Sequence, residues 1–161
     1  MKAVCEYDIP HGAFVEIGSW QGKSSCFIST ALKHCKPNRS FIVSTLLMVP
    51  QINKITEIFS QLMEMIENDE QVIIHRMSST EAVKSWNDPI AFLYIDGDYE
   101  YEAVLQDFEN WSKFLLPGAL ISFDDVPGWP GPTRVAGIVI SKQEFQKYGV
   151  APNVLTFKKI S

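Results

Sequence analysis

The stretch that decides the fold is residues 14–25, FVEIGSWQGKSS, where an apolar strand ends, two glycines turn the chain and a helix begins. Glu16 stands at the carboxyl end of the strand. Gly18 and Gly22 lack the Cβ atom that would obstruct a tight turn or a close approach. Ser24 is of a residue type favoured at helix starts. Because free N–H groups and the helix dipole attract negative groups, the stretch predicts a small-molecule binding site.

Length and composition predict a single domain over residues 1–161. The apolar share of 46% and the charged share of 20% are those of an ordinary globular protein. A formal net charge of −5 disfavours a general electrostatic attraction to nucleic acid or to an anionic membrane. No apolar run reaches the ~20 residues that cross a bilayer. We therefore expect neither nucleic acid nor membrane as a partner.

The cysteines, Cys5, Cys26 and Cys35, are expected to be buried free thiols. Their number is odd and their spacing does not match a metal site. An unpaired cysteine is commonly a core residue. Since no signal-peptide pattern precedes the first strand, we expect a cytoplasmic location.

Apolar strands and amphipathic helices alternate along the chain, which is typical of the α/β class. Strand patterns occupy 14–17, 40–47, 72–74, 90–95, 119–123 and the region around 154–157. Helical patterns occupy 24–35, 52–66, 79–86 and 104–115, the last ended by Pro117-Gly118, and a further helix is expected after the Pro/Gly-rich loop 127–132. The order predicts a Rossmann-like, doubly wound, mostly parallel sheet of six to seven strands with helices on both faces. Ligands bind such sheets at the carboxyl ends of the strands.

Acidic residues follow three of the predicted strands at that end. Glu16 ends the first strand, Asp96 and Asp98 follow the fourth, and Asp124 and Asp125 follow the fifth. Divalent cations such as Mg²⁺ prefer carboxylate oxygens, and crowded carboxylates favour a cation because they raise one another's pKa. The alternative for Asp98 and Asp125 is that they cap helices or turns, where aspartate is common. The acids at 100, 102, 107 and 109 are expected to form a solvated helix face.

These residues resemble a known family. The turn at 16–24, EIGSWQGKS, resembles the first motif of class I S-adenosylmethionine-dependent methyltransferases, in the variant of catechol- and caffeoyl-CoA-type O-methyltransferases. The segment 93–126, LYIDGDYEYEAVLQDFENWSKFLLPGALISFDDV, is similar to a branch with macrolide-sugar O-methyltransferases and cephalosporin-hydroxylase-like proteins. The similarity runs from about 13 to 126. It implies the class I methyltransferase fold and transfer of a methyl group to a small-molecule acceptor, at a hydroxyl oxygen.

The resemblance also implies roles for individual residues. The cofactor-binding set would be Glu16, Gly18, Ser19, Trp20, Gly22, Ser24, Ser78 and Asp96, with Ser78 near the adenine. Magnesium, in the metal-dependent members, would be held by Asp96, Asp124 and Asp125. The catalytic residues would be Asp96 and Tyr99, and Trp129 is a candidate wall of the acceptor pocket.

Three features depart from the family pattern. The second strand ends in 44–47, STLL, without the acid that binds the cofactor ribose. Tyr99 stands where this branch commonly has a histidine base, and a tyrosine pKa near 10 is poorly matched to that role. Little chain precedes the first strand, where many relatives carry helices that cover the substrate. A truncated chain, a very open site, or a lid donated by the second subunit of a homodimer would each explain this.

Two other interpretations stay open. A degenerate member would keep the fold as a binding or assembly module without turnover. A nicotinamide-dependent dehydrogenase would need a G-x-G-x-x-G turn and an acid about 20 residues later. The turn here is G-x-x-x-G, and the second strand has no such acid.

Overall fold

The computed structural model describes residues 5, 9, 11–19, 22–36, 38–44, 61 and 64–161. Its strands, in chain order, are β1 (Ala13–Ile17), β2 (Phe41–Ser44), β3 (Val72–His75), β4 (Ile90–Ile95), β5 (Leu115–Phe123), β6 (Phe145–Ala151) and β7 (Val154–Lys159). Its helices are α1 (Lys23–Cys35), α2 (Ser79–Ala82), α3 (Tyr101–Trp111) and α4 (Pro130–Ser141), with 3₁₀ turns at Val83–Ser85 and Ser112–Phe114. None of the helices in these ranges has the length and apolarity that a membrane span requires.

The strands form one sheet in the order β3-β2-β1-β4-β5-β7-β6. The pairs from β3 through β5 are parallel, and β7 pairs antiparallel with both β5 and β6. The chain leaves β1 toward β2 on one side and later returns to β4 on the other, so the strand order reverses between β1 and β4. That reversal point is where doubly wound sheets bind ligands. The predicted α/β architecture and strand number are confirmed.

Alternate residues of a strand point to opposite faces of the sheet, and on the central strands both sets are apolar. Helices therefore cover both faces. Phe14 belongs to a buried cluster on the α1 side, which includes Leu32. Its neighbour Val15 belongs to the cluster on the other side, where Phe108 and Trp111 of α3 are buried. Apolar contacts on both faces explain the near-continuous hydrophobic runs of the central strands.

The proline and glycine that were expected to end the fourth helical pattern lie inside a strand instead. α3 ends at Trp111, and Pro117 and Gly118 belong to β5. Ile90 of β4 pairs with Leu115 of β5, and Phe92 pairs with Leu120. The chain thus advances by two residues on β4 and by five on β5, so β5 bulges between these pairs. This bulge accommodates the proline, which cannot donate to a ladder, and the glycine at φ 89°.

The C-terminal elements differ from the sequence prediction in two respects. α4 begins at Pro130, inside the predicted loop 127–132, because proline is well suited to the first helical position. β6 was not predicted. Five of its seven residues are exposed, so it lacks the buried alternation that identified the other strands.

Part of the predicted pattern lies outside the described residues. The strand prediction over 40–47 is confirmed for Phe41–Ser44, and 45–47 are not described. The helix predicted over 52–66 is described at 61 and 64–66, which are helical.

The expectation of three free thiols is wrong, because Cys5 and Cys35 form a disulfide. These residues are 30 positions apart, and no local spacing pairs them. Their proximity arises from tertiary packing at the end of α1, which a sequence pattern does not report. Disulfides are typical of oxidising compartments, so this one does not favour the cytoplasm, and the cytoplasmic location stays a prediction.

Candidate active site at the carboxyl edge of the sheet

Strand register brings the predicted acids together. The backbone N–H of Asp96 donates to the carbonyl of Ile17 at 2.9 Å, and that of Asp124 donates to the carbonyl of Ile95 at 3.0 Å. These bonds extend the pairing of β1, β4 and β5 by one residue at the carboxyl edge. Asp96 and Asp124 therefore leave the sheet side by side, next to the glycine turn that follows β1.

Gly18 is required by the protein's own backbone. Its φ is 90°, and a Cβ atom there would lie 2.1 Å from the Cα of Gly97 and 2.4 Å from the carbonyl oxygen of Asp96. The sequence indicated that something approaches this glycine closely, and the structure shows that the end of β4 does so. A direct contact of Gly18 with a cofactor stays a prediction.

A buried hydroxyl–carboxylate network lies beneath the turn. Glu16 is fully buried, and its Oε2 accepts a hydrogen bond from the Ser25 hydroxyl, which also bonds to the hydroxyl of Ser19. Glu16 Oε1 has no hydrogen-bond partner among the described residues. Burial raises the pKa of Glu16 to about 7, the nearby Ser24 and Ser25 hydroxyls oppose the rise, and the charge of Asp124 adds to it.

Helix α1 begins at this network. Gly22 is its N-cap at φ 73°, and no side chain of the described residues caps the first turn. The hydroxyl of Ser24 donates to Asp96 Oδ2 at 3.3 Å, so the helix start and the acid-bearing strand end are in contact. Uncapped N–H groups at a helix start suit an anionic ligand group. Trp20 lies outside the described residues.

The three acids predicted to bind metal do form a cluster. Asp96, Asp124 and Asp125 are half-buried, and one carboxylate oxygen of each lies within 4.8 Å of the others. Burial, then the charges of Asp124 and Glu16, raise the pKa of Asp96. Burial and Asp124 also raise the pKa of Asp125. Carboxylates that disfavour one another's charge in this way fit a divalent cation.

Two further acids have structural roles. Asp98 Oδ1 accepts from the backbone N–H groups of Tyr99 at 2.6 Å and Glu100 at 2.9 Å, which confirms the turn-capping alternative for Asp98. Asp107 was expected on a solvated helix face but is buried, and it accepts from the Ser79 hydroxyl. Burial raises the pKa of Asp107 to about 6. Asp107 thus ties α3 to α2 beneath the 96–98 turn.

Sequence reasoning missed Tyr94. It is half-buried on β4, close to the acid cluster. Burial and the charges of Asp124 and Asp96 raise its pKa, so the hydroxyl keeps its proton at neutral pH. Tyr94 is two residues before Asp96, and strand periodicity places such residues on one face. That spacing was the available signal.

Tyr99 forms part of an aromatic pair beside the acids. Its ring stacks on that of Trp129, with centroids 4.4 Å apart and planes inclined by 24°. Burial and the charges of Asp125, Asp96, Asp124 and Asp98 all raise its pKa. A raised pKa makes the phenolate scarcer at neutral pH, so the structure gives no support to Tyr99 as a general base.

Ser78 caps helix α2. Its hydroxyl accepts from the Glu81 N–H at 3.2 Å, and its backbone N–H donates to Glu81 Oε2 at 3.4 Å, which is a capping box. Its predicted position near an adenine stays a prediction. Ser44, at the end of β2, is buried, and its hydroxyl donates to the Met77 carbonyl at 3.5 Å.

Comparisons with known proteins agree with this arrangement. The sequence profile of a methyltransferase-domain family matches residues 15–126. The O-methyltransferase NovP superposes with a TM-score of 0.73 at 16% identity, covering 94% of this chain and 73% of that chain. CalS11, a TDP-rhamnose 3'-O-methyltransferase of calicheamicin biosynthesis, gives 0.70 at 15% identity, with 98% and 74% covered. TomG of Streptomyces achromogenes, an O-methyltransferase solved with S-adenosylmethionine, gives 0.65 at 15% identity, with 92% and 73% covered.

At these identities the structural likeness establishes the fold, and the family match establishes the relationship. The matched residues run from β1 through β5 and include the glycine turn and the acid cluster. The resemblance of the 16–24 turn and of the 93–126 segment to methyltransferases is thereby confirmed. The chain belongs to this methyltransferase-domain family.

Proposed function

We propose that the chain transfers a methyl group from S-adenosylmethionine to a hydroxyl oxygen of a small-molecule acceptor. The observation that carries the proposal is the contact between the uncapped start of α1 and the acid cluster, made by Ser24 and Asp96. A helix start that suits an anionic group and a carboxylate rim that suits hydroxyls or a cation then share one edge. The structurally similar O-methyltransferase of Bacillus cereus was solved with S-adenosylhomocysteine, which supports the cofactor assignment.

The cofactor's amino-acid end fits the groups around the turn. It carries a carboxylate, which suits the N–H groups at the start of α1, and an ammonium group, which suits a carboxylate with unused hydrogen-bonding capacity such as Glu16 Oε1. The proposed binding set is Glu16, Gly18, Ser19, Trp20, Gly22, Ser24, Ser78 and Asp96. Because the Ser19 hydroxyl bonds to Ser25, Ser19 would contribute through its backbone. When bound, S-adenosylmethionine supplies an electrophilic methyl group.

We assign the metal role to Asp96, Asp124 and Asp125. Burial, and after it the charge of Asp124, raises the pKa of Asp96 and of Asp125, and a cation would relieve the repulsion between the carboxylates. A bound Mg²⁺ would supply Lewis acidity that lowers the pKa of an acceptor hydroxyl. Asp96, which also contacts Ser24, is placed to orient the acceptor relative to the cofactor, and such positioning provides much of the acceleration in a displacement reaction.

Calorimetric titration tests the cofactor assignment. We expect S-adenosylmethionine to bind the folded protein and Glu16→Leu to weaken that binding, because the ammonium group loses its carboxylate. Glu16→Gln, which keeps the shape and one acceptor oxygen, should weaken it less. A folded protein that binds neither S-adenosylmethionine nor S-adenosylhomocysteine would contradict the proposal.

Titration with Mg²⁺ or Mn²⁺ tests the metal assignment. Asp96→Asn and Asp124→Asn should each weaken cation binding. Asp98→Asn is the matched control, because Asp98 lies in the same turn but caps it, and asparagine also caps turns. Unchanged cation affinity in both cluster variants would remove the metal role.

Two observations favour the alternative of a binding module without turnover. The sequence at the end of β2, STLL at 44–47, has no acid to bind the cofactor ribose, and position 99 is a tyrosine. Production of S-adenosylhomocysteine with a panel of hydroxylated small molecules separates it from the enzyme. Cofactor binding without turnover across the panel would favour the module. That the chain forms a homodimer remains our prediction. That its partner is a small molecule, and not nucleic acid or a membrane, also remains our prediction.

A further inference from the structure

One buried carboxylate lies outside the acid cluster and takes no part in the proposed chemistry. Asp107 of α3 is 7% exposed, and its Oδ1 accepts a hydrogen bond from the hydroxyl of Ser79, the first residue of α2. Neither ion pair of the described residues involves Asp107, although a buried charge without an opposite charge is costly. Burial raises its pKa to about 6, so the group is ionised at neutral pH and makes a charge-assisted bond to Ser79.

The other oxygen of Asp107 faces the turn that carries Asp96. A Cβ atom built on Gly97 would lie 3.4 Å from Asp107 Oδ2 and 3.9 Å from the Cα of Gly18. These are ordinary packing distances, so Gly97 fills the space between the carboxylate and the glycine turn after β1. Asp107 therefore lies between the start of α2 and the backbone that positions Asp96.

The segment that leads into α2 is held on both sides. On one side, the hydroxyl of Ser44 donates to the Met77 carbonyl at 3.5 Å, which links the segment to β2. On the other side, the bond from Ser79 to Asp107 links it to α3. Ser78, which caps α2, lies between these two contacts. Its position relative to the sheet edge is therefore set in part by Asp107.

We propose that Asp107 is a positioning residue, which holds the start of α2 and the 96–98 turn at the spacing that the bound cofactor requires. The proposal rests on the proposed function, because Ser78 and Asp96 belong to the proposed binding set. Asp107 acts through Ser79 and Gly97 and does not itself touch the cofactor. A ligand that must order two loops on binding loses the free energy of that ordering, so a site held in place beforehand binds more tightly.

Calorimetric titration with S-adenosylhomocysteine, well below the Tm of every variant, tests this role. Ser79→Ala removes the donor and leaves Asp107 in place, and it should weaken binding about two- to tenfold, the range expected for one lost hydrogen bond. Asp107→Asn keeps an acceptor oxygen and should stay within about twofold of the parent protein, whereas Asp107→Ala should lose at least as much as Ser79→Ala. The double variant with alanine at both positions should bind no more weakly than Asp107→Ala alone, because both substitutions remove the same link.

Ser29→Ala is the matched control, because Ser29 donates to a second buried aspartate, Asp69. Asp69 precedes β3 and so lies at the amino edge of the sheet, away from the proposed site. Ser29→Ala should lower the Tm, as Ser79→Ala does, and leave the affinity for S-adenosylhomocysteine unchanged. If Asp107 serves stability alone, Ser79→Ala will behave as this control does, and that result would overturn the positioning role.

Amide hydrogen exchange of the protein without ligand separates this inference from the proposed function. Ser79→Ala should speed exchange at 97–100 by at least about threefold, although the substitution lies on another helix, and Ser29→Ala should not. Unchanged exchange there would overturn the link, and faster exchange with unchanged affinity would overturn its role in binding. A parent protein that binds no S-adenosylhomocysteine would contradict the proposed function and the positioning role together, and the exchange result would still show whether Asp107 connects the two loops.

Discussion

Replacement of Gly18 by alanine should destabilise the folded protein whether or not a cofactor is present. The added Cβ would lie 2.1 Å from the Cα of Gly97, and both groups belong to backbone that the sheet holds in register. A side chain at φ 90° costs about 1–3 kcal/mol, and overpacking a fixed site costs about 1–3 kcal/mol more. The expected loss in the free energy of unfolding is therefore about 2–6 kcal/mol.

Thermal and urea denaturation of the protein alone measure this loss. For a domain of this size each kcal/mol lowers Tm by about 2–4 °C, so the loss corresponds to roughly 4–24 °C. Gly137→Ala is the matched control, because Gly137 lies within α4 and nothing stands within 4 Å of its added Cβ. It should be neutral or stabilise by about 0.5–1 kcal/mol, since alanine is the better helix former.

The result that would refute this reasoning is a Gly18→Ala variant with the stability of the parent protein and a selective loss of cofactor binding. Such a variant would show that the glycine is needed for a ligand's approach and that the strand ends tolerate a side chain. A loss of stability alone would leave the packing explanation standing. The titration of S-adenosylmethionine must therefore be performed below the Tm of the variant.

Three further predictions concern polar side chains with structural contacts. The pKa of Glu16 is raised from 4.5 to about 7 in the folded protein, so the carboxyl group loses its proton at a lower pH in the unfolded chain than in the folded one. The free energy of unfolding should therefore fall by roughly 3 kcal/mol as the pH rises from 4.5 to about 7. Glu16→Gln should flatten this dependence in chemical denaturation at pH 5 and 8. Ser78→Ala should cost about 1 kcal/mol in thermal denaturation through the lost cap of α2, and it should also weaken S-adenosylmethionine binding in calorimetric titration, because Ser78 belongs to the proposed binding set. Asp107→Ala should cost about 1–3 kcal/mol in urea unfolding because Ser79 loses its acceptor, whereas Asp107→Asn should retain most of the stability.

The sequence could predict the features that depend on chain order and strand ends. Hydrophobic periodicity locates β1, β4 and β5, and alternation with helices makes those strands parallel. Parallel strands have their carboxyl ends at one edge, so Asp96 and Asp124 were expected to be neighbours, and the ladder places them there. The clustering of the acids thus follows from register, which hydrophobic patterning specifies strongly.

The remaining features depend on tertiary contacts that have no local signature. Gly18 lies against Gly97, which is 79 positions away in the sequence. The sequence alone does not show whether a glycine leaves space for a ligand or for another strand. The disulfide of Cys5 and Cys35 likewise depends on how the chain packs. The burial of Asp107 is a different case, because helical spacing from Val104 and Trp111 places it on the apolar face of α3, and only its charge led to the expectation of a solvated position.

The electrostatics of the edge itself argue for a cationic ligand group. Glu16 and Asp96 both have raised pKa values, chiefly through burial, and the charge of Asp124 adds to each. The ion pairs of the described residues, Lys33–Asp69 and Arg76–Glu67, involve none of these acids. Buried acids with perturbed pKa values in such a place are typical of binding sites rather than of stabilising pairs.

A cationic group that binds there must favour the ionised acids, so its affinity should rise as they lose their protons. Stabilisation by a ligand grows with its concentration relative to Kd. The increase in Tm produced by S-adenosylmethionine, or by Mg²⁺, should therefore be larger at pH 8 than at pH 6, although the protein alone is less stable at the higher pH. A site built from mutually repelling carboxylates therefore gives opposite pH trends for the stability of the free protein and for the increase in Tm that the ligand produces. A ligand-induced shift that is independent of pH would mean that the ligand's positive charge lies elsewhere.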